Sequence, residues 1–137
     1  MANGFYDWKI LSKKGMVPYR FHLKDNAPFA IAGLWEEFEN EQGEMVHSFM
    51  MITTPSNKDV NDITDRMPAI LNDGLIVEWL NDSNSEESVI SFIKPYTESP
   101  IDRHTVNPKL AEPDFNHSDL FNKVPPADQH GNFTLFD

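Results

Sequence analysis

The apolar segments of this sequence are short, and each is bounded by turn-forming residues. Four segments have the alternation and the β-branched or aromatic composition of strands: 4–10, 17–23, 28–36 and 46–54. Pro18 lacks an N–H group and predicts that the second strand is an edge strand or begins there. No apolar run reaches 18 residues, so the sequence predicts no membrane-spanning helix.

The order of these segments predicts the fold class. The second, third and fourth segments are expected to form an antiparallel meander that builds a curved sheet or barrel wall with the first. Two further short strands are expected: 69–71 and 102–107. Helical periodicity or capping residues mark three short segments: 58–63, 74–80 and 83–94. We therefore predict an α+β fold with a β-rich, curved antiparallel or barrel-like core and a few short flanking helices.

The length of 137 residues fits one domain with a real core. We assign residues 1–110 to this domain and residues 111–137 to an extended tail, because 108–131 are rich in Pro, Asn, Asp and His. The tail contains three possible apolar anchors: Phe115, Leu120 and Phe121. Residues 132–136 could add a terminal edge strand.

The net charge of −11 normally argues against a nucleic-acid partner, because phosphate binding depends on Lys and Arg. The distribution of the charge qualifies that argument. Residues 1–24 hold five basic side chains and one acidic side chain, a net charge of +4, which leaves −15 for residues 25–137. The N-terminal lysines indicate either a local basic face or a hairpin loop that is made soluble by its charges.

Several classes of site are excluded or disfavoured by composition. The sequence has no cysteine, which excludes disulfides, thiolate metal sites and cysteine nucleophiles within these residues. None of the five histidines is three or four residues from another, so no metal site is predicted. No Gly-rich phosphate loop or serine-hydrolase motif is present, and no cofactor is expected.

Two acidic positions remain as candidates for chemistry. Asp7 lies between Tyr6 and Trp8, where partial burial could raise its pKa and suit it to proton transfer. Pro68 biases Met67, the residue before it, toward extended geometry, so Arg66 lies just before a new strand, where its side chain can reach a surface cleft. Asp65 precedes Arg66 and could orient that guanidinium. The alternatives are a hydrogen-bonded strand or turn carboxylate and a purely structural arginine.

Four motifs together resemble the SOS response-associated peptidase (SRAP) family, in that family's order and approximate spacing. They are Asn3-Gly4-Phe5-Tyr6-Asp7-Trp8, then 29–36, then 52–57, then Ile63-Thr64-Asp65-Arg66-Met67-Pro68 with 69–71. The resemblance covers most of residues 3–107 and corresponds to the C-terminal portion of the family's domain. The family's Cys-Gly-Arg start has no counterpart, so we expect a domain that lacks its N-terminal part.

The resemblance implies a function in the DNA damage (SOS) response. Members of this family bind single-stranded DNA and form a covalent cross-link to abasic sites through an N-terminal cysteine, and they are described as peptidases. A glutamate and a histidine assist the reaction, and a tryptophan and an arginine face the DNA. These roles agree with the acid–base and stacking chemistry that such a reaction requires.

Carried over by resemblance, the DNA-facing positions are Trp8 and Arg66, and Lys9 of the basic N-terminal segment is predicted to bind DNA with them. Asp7 stands at the glutamate position with a side chain that is one methylene shorter. Thr64 stands at the histidine position, where a hydroxyl cannot exchange a proton near neutral pH. The resemblance therefore implies single-stranded or abasic DNA as the partner, and it predicts that these residues do not form the cross-link.

A second hypothesis is a degenerate, non-catalytic fragment that acts as an interaction module or completes its fold with another chain. In that case an unpaired sheet edge and an open apolar face would favour self-association. Whether the chain is an enzyme stays open at this point. A cytoplasmic location without membrane contact is expected, because the first residues lack the basic and apolar regions of a signal peptide.

Overall fold

The structure is a computed structural model, and it describes residues 1–12 and 15–134. These residues contain nine strands: β1 (Phe5–Ser12), β2 (Gly15–Leu23), β3 (Ala30–Ile31), β4 (Gly33–Glu39), β5 (Met45–Met51), β6 (Thr53–Pro55), β7 (Arg66–Pro68), β8 (Ile70–Leu71) and β9 (Ile101–Thr105). The helices are α1 (Ile76–Trp79) and α2 (Glu86–Phe92), with 3-10 helices at Asp73–Leu75, Pro108–Ala111 and Ser118–Phe121.

The strands pair antiparallel throughout the described residues, which confirms a β-rich α+β fold with few short helices. The largest sheet has the order β1-β2-β9, and three two-stranded ladders join β3 to β8, β4 to β5 and β6 to β7. The described residues form no closed barrel.

The predicted meander is wrong in its pairing. The second strand, β2, pairs with β1 and with the distant β9, and it does not pair with the third segment. The third and fourth segments do pair through β4 and β5, but each is broken at an internal residue. The breaks lie at Ala32 and Ile52, where the amide of Ile52 donates to Ala32 O, Ala32 donates to Ala69 O and Ala69 donates to Ile52 O. Three strand pairs therefore meet at one backbone junction.

Pro18 lies in the central strand of the three-stranded sheet, so the edge prediction is also wrong. Its carbonyl accepts a hydrogen bond from the Val106 amide, just past the end of the β9 ladder. Because the N–H and C=O groups of one strand residue point to the same side, the missing N–H would also face that end of the ladder. Proline consequently removes no hydrogen bond between β1 and β2.

The main core lies between one face of the three-stranded sheet and the segment 57–70. It is formed by alternate residues of β2 together with apolar residues from the other segments: Val17, Tyr19, Phe21, Leu23, Phe29, Val60, Ile63, Met67, Ile70, Tyr96 and Ile101. The Phe5 ring stacks on Phe21 with centroids 4.8 Å apart, which joins β1 to this core.

The predicted helices form as shorter elements. Residues 58–63 make successive hydrogen-bonded turns that begin at Asn57, whose side chain accepts from the Asp59 amide, but they form no helix. The 74–80 segment becomes a 3-10 turn followed by α1, and α2 begins after Ser85, whose hydroxyl caps the Ser88 amide. Ile76, Trp79 and Phe92 pack on the small second core cluster around Ala32 and Ala69.

Candidate nucleic-acid interface

Strand β1 carries three of the predicted site residues, and its pleat divides them between two faces. Asp7 and Lys9 share the face of Phe5, which points into the core, whereas Trp8 and Tyr6 occupy the opposite face. Asp7 lies across from Tyr19 of β2, and its Oδ1 accepts a hydrogen bond of 2.7 Å from the Trp8 amide. Lys9 therefore lies on the same face of β1 as Asp7, the predicted acid, and Trp8 lies on the opposite face.

A polar cavity of about 300 Å³ lies on the Lys9 side of the sheet. Its lining comes from the three-stranded sheet, the turn before Thr64 and the tail: Lys9, Tyr19, Asp62, Ile63, Arg103, His104, Thr105 and Lys123. The Arg103 guanidinium makes two hydrogen bonds of 2.6 Å to the Asp62 carboxylate, and it also donates to the Asp59 carbonyl. This ion pair holds the turn 59–63 against β9.

Thr64 comes directly after Ile63, which lines this cavity, and Thr64 is half-buried. Its amide donates to Val60 O, which closes the preceding turn. The turn therefore brings the Thr64 position to the same side of the sheet as Lys9. The catalytic roles of Asp7 and Thr64 stay predictions.

Arg66 begins β7 and is exposed, and its guanidinium is oriented by a neighbour that the sequence did not indicate. Its Nε donates to Thr53 Oγ1 over 2.8 Å and its Nη2 donates to Thr53 O over 2.6 Å. Asp65 instead provides its carbonyl to the Ser56 amide. No ion pair joins Asp65 to Arg66 in the described parts of the chain. Thr53, and not Asp65 as predicted, therefore orients the Arg66 guanidinium.

The opposite face of the sheet is covered by the tail. The Arg20 guanidinium is buried, donates 2.9 Å to Asn3 O and lies 5.0 Å from the centre of the Phe121 ring. Gly4 permits this arrangement, because a Cβ at that position would lie 2.7 Å from Phe21 O and 3.2 Å from Arg20 Nε. The tail and the start of β1 thus enclose a cation.

Two titratable side chains under the tail have shifted pKa values. Burial raises the pKa of Tyr6, against the opposing charge of Arg20, and its hydroxyl donates 3.3 Å to Leu120 O. Burial lowers the pKa of His104, while the hydrogen bond from its Nε2 to Phe121 O, 3.0 Å long, opposes the shift. His104 therefore favours its neutral form as a donor to the tail.

Comparison with known proteins supports the resemblance seen in the motifs. The sequence profile described as SOS response associated peptidase (SRAP) matches residues 1–113. This chain belongs to the SRAP family. The match includes Trp8, Lys9, Thr64 and Arg66.

Several curated SRAP relatives have informative names. The chain is 36% identical over 120 residues to the abasic site processing protein YoqW of Bacillus subtilis, covering 87% of this chain and 54% of that protein. It is 37% identical over 120 residues to the abasic site processing protein YoaM of the same organism, covering 87% and 53%. The chain thus spans about half the length of the curated relatives that it matches.

Solved structures of similar chains agree with the SRAP fold. A crystal structure of a protein from Bacteroides thetaiotaomicron has a TM-score of 0.79 at 26% identity, covering 89% of this chain and 54% of that one. A protein from Bordetella bronchiseptica has a TM-score of 0.66 at 32% identity, covering 77% and 52%.

Sequence reasoning did not identify the residues of this SRAP chain that are far apart in the sequence and meet at the cavity. Arg103, Asp62 and Lys123 line the cavity from three separate segments, and no local pattern connects them. Arg20 is one of the five basic residues in 1–24, and the sequence indicated only its positive charge. A hint was available in its position, because an arginine in an alternating strand between two aromatic residues requires a partner.

Every helix in the described part of the chain falls short of the length and apolar character that a membrane-spanning helix requires. Nor does that part of the chain place three or more His, Asp or Glu side chains where they could hold a metal ion.

Proposed function

We propose that this chain acts at abasic sites in single-stranded DNA, as part of an SRAP-type response to DNA damage. The observation that carries this proposal is the family match over residues 1–113 together with relatives named abasic site processing proteins. The geometry supports it, because Trp8, Lys9 and the exposed Arg66 are family positions at or near the surface. Aromatic stacking and cationic contacts are the usual means of holding single-stranded DNA.

The covalent step is proposed to be absent from these 137 residues. The sequence has no cysteine, and Thr64 offers a hydroxyl where an acid–base group is expected. Asp7 already accepts a hydrogen bond from the Trp8 amide, so one of its carboxylate oxygens is engaged within the strand. We therefore expect recognition of DNA without formation of the covalent cross-link.

A gel-shift titration tests this function. The protein is titrated into labelled single-stranded DNA, with and without one abasic site, at low and moderate salt. We expect binding at low salt that weakens as salt is added, because contacts to phosphates release counterions. Absence of binding at low salt would refute the DNA function.

The same samples are then run on a denaturing gel, where we expect no shifted band with abasic DNA. A denaturant-resistant adduct would show that another nucleophile, such as the N-terminal amine, forms the cross-link.

A second candidate function is that of an interaction module that completes its fold with another chain. The hairpin β4–β5 favours it, because large apolar side chains are exposed along it: Leu34, Trp35, Phe38, Met45, Phe49, Met50 and Met51. A groove of about 550 Å³ continues from this hairpin to Trp79 and Leu80 of the α1 region. Exposed apolar surface of this extent is typical of interfaces. The two functions are compatible if a partner binds the hairpin while DNA binds β1.

A further inference from the structure

We propose that the cavity beside Lys9 binds a phosphate of the DNA backbone, and that Lys123 of the tail is one of its ligands. This inference rests on the proposed DNA-binding function and adds a residue that lies outside the family match, which ends at residue 113. The cavity would fix the register of the DNA strand on the sheet without reading its sequence.

The charge of the cavity is the first argument. Arg103 is neutralised by its paired hydrogen bonds to Asp62, so these two residues contribute no net charge. Lys9 and Lys123 line the same space, and neither ammonium has a hydrogen-bonding or ionic partner among the described side chains. In a chain of net charge −11, a pocket with two unneutralised ammonium groups favours an anion.

The placement of Lys123 is the second argument, because the backbone on both sides of it is held to β9. On one side, Phe121 O accepts from His104 Nε2. On the other side, the Val124 amide donates 3.0 Å to Thr105 O, and Val124 O accepts from the Thr105 hydroxyl. Lys123 is thereby held over the cavity by three hydrogen bonds, although its own side chain is exposed.

The third argument is the size and lining of the cavity. Its volume of about 300 Å³ is at the small end of ligand sites, which suits a phosphate with part of its sugar. The Thr105 hydroxyl already donates to Val124 O, so the ammonium groups of Lys9 and Lys123 are the donors that the lining offers to a phosphate. Lysine side chains are among the usual partners of backbone phosphates.

The test is a salt series of fluorescence anisotropy titrations with a labelled single-stranded oligonucleotide. The wild-type chain is compared with Lys123→Gln, Lys9→Gln and Lys123→Arg. Lys109→Gln is the matched control, because it removes the same charge from an exposed lysine just before the tail, which contacts the Phe115 ring and does not line the cavity.

We expect Lys123→Gln and Lys9→Gln each to weaken binding about threefold to tenfold at low salt. Each should also reduce the slope of log K against log salt by about 0.7, the value for one phosphate contact on a single strand. Lys123→Arg should retain binding, and Lys109→Gln should change it by less than about twofold. Circular-dichroism melting of each variant checks that the fold is retained.

The two proposals fail in different ways. If the wild-type chain binds and Lys123→Gln binds as Lys109→Gln does, the phosphate site is wrong while the DNA function stands. If the wild-type chain does not bind at low salt, both proposals are overturned.

Discussion

At the scale of single residues, the side chains between the sheet and the tail combine charge with burial. Arg20 is enclosed by Asn3 O and the Phe121 ring, and His104 lies beside it, facing His22 with ring centroids 5.4 Å apart. Adding a second positive charge at His104 is unfavourable in this setting, because the site is partly shielded from water and already contains a guanidinium.

The lowered pKa of His104 predicts a pH dependence of stability. The unfolded chain binds a proton near pH 6.5 and the folded chain binds it at lower pH, so the unfolded state holds more protons in between. The stabilising contribution is therefore complete above about pH 6.5. It decreases as the pH falls from there through the folded-state pKa.

Urea unfolding between pH 7.5 and pH 5.5 measures this effect. We expect the free energy of unfolding to fall with pH in the wild-type chain and to fall less in His104→Gln, whose amide can still donate to Phe121 O. His130→Gln, an exposed histidine of the tail, is the control and should follow the wild type. If the free energy of unfolding falls equally with pH in the wild type and in His104→Gln, His104 is not the source of the pH dependence.

At the scale of elements, the tail is a packed part of the structure. Its 3-10 helix Ser118–Phe121 buries Leu120, which is 9% exposed, and residue 124 continues the hydrogen bonding of β9. Further along, the Met16 amide donates 2.7 Å to Gln129 Oε1, and Ala127 is buried. The residues predicted as an extended tail are thus anchored at several points along the sheet.

Leu120→Ala should destabilise the chain by about 2–3 kcal/mol, because it removes a buried side chain and leaves space beneath the tail. Leu80→Ala is the matched control, since Leu80 is 74% exposed, and it should change stability by less than about 0.5 kcal/mol. Chemical denaturation gives both values.

Hydrogen exchange at the Val124 amide should increase in the same Leu120 variant, as its bond to Thr105 loosens. Equal stability of the two variants would show that the tail is not packed in solution.

Local sequence was sufficient for the elements whose partners are close in the chain. The alternation of β1 and β2 predicts both strands, and the capping box that begins at Ser83 predicts the start of α2 to within two residues, because the cap is Ser85. Local sequence was insufficient where a segment changes its partner strand, as at Ala32 and Ile52, because the alternation of apolar residues continues through the break. Pairing of β2 with β9 depends on residues about 80 positions away, which periodicity does not report.

The candidate site also depends on contacts that local sequence does not report. Motif resemblance was needed to single out Trp8 and Arg66, because each is an ordinary strand residue by composition, whereas Lys9 was indicated by the basic charge of residues 1–24. The partner of Arg66 was missed, since Thr53 lies one strand away and Asp65 is its neighbour in sequence. The tail lysine, Lys123, has no local signal at all, and its place in the cavity results from hydrogen bonds to β9.

At the scale of the whole molecule, the apolar surface is unevenly distributed. Trp35 and Phe49 are cross-strand partners in β4–β5 and are 73% and 80% exposed. Carboxylates flank them along the same hairpin: Glu36, Glu37, Glu39, Glu41 and Glu44. This combination of apolar and acidic groups favours a partner that carries both apolar and basic side chains.

Two copies of the chain can also meet through the apolar side chains of this surface, so self-association is a separate prediction. We expect the mass of the wild-type chain to rise above 15.7 kDa with concentration in light scattering, because water is excluded when two such faces meet. The double variant Trp35→Ser with Phe49→Ser should stay at 15.7 kDa. Phe133→Ser, which removes an isolated exposed aromatic, should behave as the wild type.

A wild-type mass that stays monomeric at all concentrations would contradict the prediction. Addition of a basic, apolar peptide would then distinguish a surface for another chain from an inert one.

The closure of the tail over β1 and β2 has a consequence for the order of events during synthesis. The first hairpin is translated before β9 and before the tail residues that cover one of its faces, which follow about 80 to 110 positions later. At 5–20 residues per second, this delay is roughly 5 to 20 seconds. During that interval the face of the hairpin that carries Tyr6 and Arg20 lacks the tail that covers it, so this face stays open to water or to temporary partners such as chaperones until the last segment arrives.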